Sequence, residues 1–181
     1  RGVSAPRIRA RAASRVAFAL PLLVAIALAP GSPSNPSGEV RADQDSGALP
    51  ALFDSLLEAD GAAAAARIEG RIWQEWLAAP DDASRALIGD IDAAMRVRDL
   101  EGALSLADEL VEAAPAFAEA WNKRATIHYL LRDDDASVRD IRETLAREPR
   151  HFGAISGLGL IFLRQGDEAA ALGAFEQVLL I

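Results

Sequence analysis

The sequence lacks cysteine altogether, and its 181 residues include only two histidines and one lysine. The absence of cysteine excludes disulfides, thiolate metal sites and cysteine nucleophiles, as well as any lipid anchor attached to cysteine. The two histidines, His128 and His151, have no flanking pattern of carboxylates and make a poor pair of metal ligands. No nucleophile elbow, zinc-protease motif or Ser/His/Asp grouping is present. The sequence therefore predicts no catalytic residue, no metal and no cofactor.

Charge is divided unevenly along the chain. Residues 1–42 carry six arginines and one glutamate, a net charge of +5, whereas residues 43–181 carry 13 basic and 26 acidic side chains, a net charge of −13. A strongly acidic domain is repelled by nucleic acid and by anionic membrane surfaces. We therefore expect no nucleic-acid partner, and contact with a membrane only through the N-terminal segment.

The basic N-terminal segment has the pattern of a secretory signal peptide. A basic run at 7–15 precedes 14 apolar residues at 16–29, which are fewer than the roughly 20 that a spanning helix needs. A Pro/Ser/Gly-rich tract follows at 30–38 and favours a flexible linker, and Ala42 offers a cleavage site. We expect residues 1–42 to be a signal peptide and linker of an exported, periplasmic protein. A membrane tether that stays uncleaved and a cytoplasmic protein are the alternatives.

The rest of the chain repeats itself with a period of 34 residues. Pro115 and Pro149 each close an Ala/Glu/Leu-rich stretch. The same shift aligns an alanine column and an aspartate column: Ala86, Ala120 and Ala154, and Asp99, Asp133 and Asp167. A period of this length is typical of stacked supersecondary units.

Each unit is predicted to be a hairpin of two helices. In residues 118–151, side chains of one face recur at i, i+4 and i+7 before an RDDD turn at 132–135, and at i, i+3 and i+7 after it. We expect Asp134 or Asp135 to cap the second helix through a backbone N–H, rather than to bind calcium. A single hairpin cannot bury its apolar face alone, so neighbouring hairpins must stack. The predicted fold is all-α, an α-solenoid of antiparallel helix hairpins.

The unit 118–151 resembles the tetratricopeptide repeat (TPR) family, whose pattern is W-x2-L-G-x2-Y, then A-x3-F, x2-A and a closing Pro. Trp121 and Pro149 match this pattern, whereas Ala125 replaces Gly and His128 stands where the family has Tyr. The unit 152–181 matches at Ile155, Leu158, Gly159, Phe162, Ala171 and Phe175, and the degenerate unit 84–117 keeps Ala103, Ala107 and Pro115. The resemblance implies a right-handed solenoid.

The two ends of the array depart from the pattern. Residues 43–83 contain two helical stretches, at 49–59 and 62–81, which we interpret as a capping helix pair or a degenerate repeat because array ends are atypical. The chain ends in the apolar run Leu179–Ile181. This run is a poor surface terminus, so we expect the natural protein to continue.

The family resemblance also implies a function. First helices of such units line a concave groove that receives peptides, and by position the groove would carry Asn122, Lys123, Thr126 and Tyr129, with Arg96 and Arg164 from neighbouring units. Asn and Lys side chains suit a peptide backbone or a carboxylate. The resemblance therefore implies a non-catalytic scaffold for a protein or peptide partner. An accessory module of a larger enzyme or envelope assembly machine is the alternative, and an ordinary solvated surface is the alternative for these residues.

The remaining rare residues have structural interpretations. We expect His128 to lie on a packed helix face and His151 to be exposed in a loop. Trp73 and Trp76 are expected to fill the core, with an aromatic patch for a partner as the alternative. The glycine-rich stretch 156–159 follows no strand, so it favours close helix packing over a phosphate loop.

Overall fold

The computed structural model describes residues 47–181, and the predicted signal peptide and linker at 1–42 lie outside them. The described part contains eight helices: α1 (Ala48–Leu57), α2 (Ala62–Trp76), α3 (Asp82–Arg96), α4 (Leu100–Ala113), α5 (Ala118–Leu130), α6 (Asp134–Arg147), α7 (Phe152–Gln165) and α8 (Glu168–Val178). They pack as sequential antiparallel pairs, which confirms the predicted all-α fold of helix hairpins. Within residues 47–181, none of the helices has both the length and the apolar character that crossing a membrane requires.

The repeated aspartate column starts the second helix of each unit. Asp99, Asp133 and Asp167 are the N-caps of α4, α6 and α8, and each carboxylate accepts the backbone N–H three residues later, at 3.0, 2.9 and 2.9 Å. These bonds satisfy a donor that the helix itself leaves free. The expectation that Asp134 or Asp135 caps α6 is therefore wrong. Both lie in the first turn instead, where negative charge favours the helix dipole.

The residue before each capping aspartate turns the chain. Arg98, Arg132 and Gly166 have φ values of 62°, 67° and 80°, so the left-handed conformation recurs every 34 residues. Glycine adopts this conformation without steric cost, whereas an arginine there carries a Cβ penalty. Only the third unit thus has the residue that its turn favours.

The core runs along the array. One cluster joins α3, α4 and α5 around Ile91, Leu110 and Ile127, and a second joins α5, α6 and α7 around Ile141 and Ile161. These clusters bury the apolar faces that the spacing predicts.

Close packing at α7 depends on two of its three glycines, and a Cβ at the first, Gly153, would lie 2.7 Å from the ring of Trp73. A Cβ at Gly159 would lie 2.6 Å from the ring of Phe175, so α7 and α8 approach only because this residue has no side chain. A Cβ at Gly157 would lie 3.6 Å from Ile141, which is ordinary contact. The expected close approach is confirmed at Gly159 and is wrong at Gly157.

The N-terminal pair α1–α2 packs against a distant part of the array. Trp76 is fully buried with Phe53 and Ile72, and the partly buried side chains of Phe152 and Ile181 pack against this cluster. The expectation that Trp76 fills the core is confirmed. The pair therefore covers the junction between α6 and α7.

His151 is buried beneath this pair, so the expectation that it is exposed is wrong. Its side chain is 0% exposed, and its ring stacks on Trp76 with centroids 4.1 Å apart. Nδ1 accepts the backbone N–H of Ala154 at 3.1 Å, which caps α7, and Nε2 lies 3.1 Å from Glu119 Oε2. Because Nδ1 accepts, Nε2 carries the proton and donates to Glu119. A loop histidine thereby joins α2, α5 and α7.

Candidate partner groove

The first helices of the last two units, α5 and α7, face each other across an open cavity of about 180 Å³. The cavity is lined by residues of α5, α6 and α7: Asn122, Ala125, Thr126, Tyr129, Ser137, Ile141, Gly153, Ala154, Ser156, Gly157 and Leu160. The sets on α5 and α7 recur at spacings of three and four residues, which place each set on one helix face. The cavity therefore has one face of α5 on one side and one face of α7 on the other.

Three of the residues that were predicted to line the groove, from their positions in the TPR pattern, lie together at this cavity. Asn122, Thr126 and Tyr129 line the cavity from α5. Lys123 and Arg164 lie on the same two helices but do not line it, and Arg96 is exposed at the end of α3. The cavity is thus built from the uncharged members of the predicted set.

The single lysine is already paired. Its ammonium forms an ion pair with Asp92 of α3, and the lysine side chain is only 16% exposed. Lys123 therefore joins α5 to α3. A partner carboxylate would have to compete with Asp92 for this ammonium.

Arg164 is also held within the protein. Its Nε donates to Asp134 Oδ2 at 3.1 Å, and its Nη1 donates to the carbonyl of Tyr129 at 2.9 Å. The guanidinium lies 3.8 Å from the centroid of the Tyr129 ring, within the range of a cation–π contact. Arg164 therefore fixes Tyr129 at one end of the cavity.

The polar groups in the cavity are mostly engaged with the protein. Thr126 Oγ1 donates to the carbonyl of Asn122 at 2.9 Å, and Ser137 Oγ donates to the carbonyl of Ala125 at 2.8 Å. Asn122 Nδ2 donates to Glu119 Oε2 at 2.9 Å. This is the one hydrogen bond of the Asn122 side chain within residues 47–181, so its carbonyl oxygen and second N–H are available to a bound backbone.

Sequence reasoning missed the contribution of α7. Gly153, Ser156, Gly157 and Leu160 form the second wall, and Leu160 is 44% exposed. The 34-residue period contained the signal, because a shift from Asn122 leads to Ser156 and a shift from Thr126 leads to Leu160.

A second cavity, of about 380 Å³, lies between α5 and α6 and is lined by Trp121, Arg124, Arg139, Asp140, Arg142 and Glu143. Arg124 occupies the position of the leucine in the family pattern. Its Nε and Nη2 donate to the two carboxylate oxygens of Asp140, both at 2.8 Å, and its Nη1 donates to Asp108 of α4 at 2.9 Å. Hydrogen bonding to these carboxylates raises the pKa of Arg124 above its ordinary value. The network joins three helices, and we interpret it as structural.

His128 extends this network. Its Nε2 lies 3.7 Å from Asp140 Oδ2, and its side chain is mostly buried. This distance exceeds that of a hydrogen bond, so His128 lies beside the carboxylate without a hydrogen bond to it. The expectation of a packed helix face is confirmed for His128.

Stacked antiparallel helix pairs with a cavity between successive first helices define an α-helical repeat protein. No protein-family model matches the chain. It is 33% identical over 131 residues to a TPR repeat-containing protein of Rhizobium etli, over 72% of this chain and 64% of that protein. It is 31% identical over 86 residues to the small glutamine-rich tetratricopeptide repeat-containing protein 2 of Saccharomyces cerevisiae, over 48% of this chain and 25% of that protein. The chain therefore spans less than two thirds of each relative, and it is related in sequence to TPR repeat-containing proteins.

Proposed function

We propose that the chain is a non-catalytic TPR scaffold that binds a protein or peptide partner in the groove between α5 and α7. The observation that carries the proposal is the cavity between α5 and α7. Asn122, Thr126 and Tyr129 line it from α5, and residues of α7 line the opposite side. The relatedness to TPR repeat-containing proteins supports the same function. A groove fixed between two packed helices is preformed, so binding a partner requires little loss of conformational entropy in this protein.

The size of the cavity favours a polypeptide over a cofactor. Pockets that enclose drug-sized ligands measure roughly 300–1,000 Å³, whereas this cavity measures about 180 Å³. It is open, and its rim carries the exposed side chains of Thr126 and Leu160. A partner that lies along the groove and fills the cavity with one part of itself suits these dimensions.

We further propose that the protein is exported to the periplasm. The support is the basic run at 7–15 followed by the apolar run at 16–29. The test is N-terminal sequencing of the full chain recovered from the periplasmic fraction. We expect the exported form to begin at Asp43, and a chain found with residues 16–29 intact in the membrane fraction would contradict cleavage.

The binding proposal is tested by capture of partners with the full chain and two matched variants. Thr126→Arg puts a long charged side chain into the groove, and Ala146→Arg adds the same side chain at an exposed position of α6 that does not line the cavity. We expect the wild type and Ala146→Arg to retain the same partner proteins and Thr126→Arg to lose them, with unchanged helicity. Equal retention by all three would exclude the groove as the binding surface.

A further inference from the structure

We propose that the cavity between α5 and α7 receives one aliphatic side chain of the partner polypeptide, and that this side chain anchors the complex. The inference rests on the proposed function, because it specifies what the groove binds. It follows from the volume, the lining and the charge of the cavity.

The volume fits one side chain. A cavity of about 150 Å³ lined by apolar groups is large enough for a group the size of benzene, and the cavity here measures about 180 Å³. A leucine, isoleucine, valine or methionine side chain is of this size.

The lining is mostly carbon. Ala125, Ile141, Ala154 and Leu160 supply apolar surface, and the hydroxyl of Thr126 is turned to its own backbone. Leu160 is 44% exposed and Leu163, three residues on, is 48% exposed. Contact with an aliphatic group in the cavity would remove the exposed apolar surface of Leu160 from water, which is favourable in proportion to the area.

The charges around the cavity select against an acidic anchor. None of the residues that line it is charged. The neighbouring cations on α5 and α7 are already paired, Lys123 with Asp92 and Arg164 with Asp134. A carboxylate inserted here would lose its hydration without gaining a free cation, which is unfavourable. An uncharged cavity is therefore complementary to an uncharged side chain, and a C-terminal carboxylate is a poor occupant.

Gly157 keeps the cavity open and offers a way to close it. A Cβ at this position would make only ordinary contact, 3.6 Å from Ile141, so the backbone here accommodates a residue with a Cβ. Replacing a glycine in a helix interior also raises helix propensity. Gly157→Leu should therefore fill the cavity while the fold is retained.

The test uses the full chain and a library of random decapeptides, prepared with free and with amidated C-termini. The proteins are the wild type, Gly157→Leu, Leu160→Ser, Thr126→Arg and the control Ala146→Arg, each checked for helicity by circular dichroism. We expect enriched peptides to share one Leu, Ile, Val or Met position whose replacement by serine weakens binding about ten- to a hundredfold. Gly157→Leu should weaken binding at least as much, Leu160→Ser should weaken it less, and amidation and Ala146→Arg should change nothing.

Three results would overturn the anchor. Enriched peptides that share an acidic position, or that lose affinity when the C-terminus is amidated, would show that a carboxylate is recognised instead; the groove would remain the binding surface if Thr126→Arg still blocked these peptides. Binding that resists both Thr126→Arg and Gly157→Leu would remove the proposed function together with the anchor. A library that yields no common position would exclude the anchor, while capture of protein partners would decide the proposed function separately.

Discussion

Replacing Arg124 by leucine should destabilise the fold, although leucine is the residue of the family pattern. In Arg124→Leu the carboxylate of Asp140, whose side chain is 6% exposed, loses both guanidinium bonds at 2.8 Å. The other basic side chain beside this carboxylate is His128, whose Nε2 lies 3.7 Å from Asp140 Oδ2. The variant therefore leaves an acidic group buried without its main partner.

The expected cost follows from this geometry. Removing one partner of a buried ion pair costs about 3–5 kcal/mol, and the 19% exposure of Arg124 lets some water reach the site. We therefore expect a loss of about 2–4 kcal/mol for Arg124→Leu. Its bond to Asp108, a side chain that is 54% exposed, should contribute under about 1 kcal/mol.

Replacing both partners should recover most of this loss. In Arg124→Leu/Asp140→Ala no buried charge remains unpaired, so we expect the double variant to be within about 1 kcal/mol of the wild type. The measurement is urea denaturation of the four proteins at neutral pH, followed by circular dichroism, with the m-value checked for constancy. A double variant that loses the sum of the two single losses would refute the idea that the pair acts as a unit.

Three further predictions concern the turns, the N-terminal pair and a cap. Gly166→Ala should destabilise the protein by about 1 kcal/mol because φ is positive there. Gly89→Ala, in an open helical position, should instead stabilise it by about 0.5–1 kcal/mol. Urea denaturation measures both changes in the free energy of unfolding, and changes of the same sign would contradict the turn geometry. Trp76→Ala should cost about 3–5 kcal/mol and should speed hydrogen exchange at the α6–α7 junction as well as in α1 and α2; a change confined to α1 and α2 would show that the pair does not dock there. The hydrogen bond from the backbone N–H of Ser84 lowers the pKa of Asp81 below its ordinary value of 3.8, so its cap on α3 stabilises the protein above that pH and is lost as the pH falls through the lowered pKa. The asparagine side chain in the variant Asp81→Asn does not titrate, so the stabilities of variant and wild type should converge as the pH falls. Urea denaturation midpoints measured across pH test this. A stability difference that stays constant with pH would show that ionisation of Asp81 does not strengthen the cap.

The repeated elements were predictable because local chemistry determines them. The column Asp99, Asp133 and Asp167 is visible in the sequence, and each member makes the same hydrogen bond to the backbone three residues later. The predicted N-cap of α6, Asp134 or Asp135, was wrong because any of the three consecutive aspartates of the RDDD turn is a favourable N-cap residue. Only the position of the left-handed residue Arg132 decides which one precedes the first helical turn.

The contacts between distant segments were not predictable from local patterns. His151 follows a proline and an arginine, which favours an exposed loop, but Trp76 lies 75 residues earlier and covers it. Lys123 is the single ammonium of the chain, yet the sequence alone does not show that Asp92 lies across the α3–α5 interface. Both outcomes depend on packing between elements, whereas propensity and periodicity report on one element at a time.

Binding of a partner between α5 and α7 is tested most directly by hydrogen–deuterium exchange. The full chain would be compared with and without a bound partner or enriched peptide, at a concentration that saturates binding. We expect slower exchange at the ends and exposed faces of α5 (Ala118–Leu130) and α7 (Phe152–Gln165), with α4 and α8 unchanged. Slower exchange in α4 or α8 with α5 and α7 unaffected would place the partner on another surface and would contradict the proposed groove.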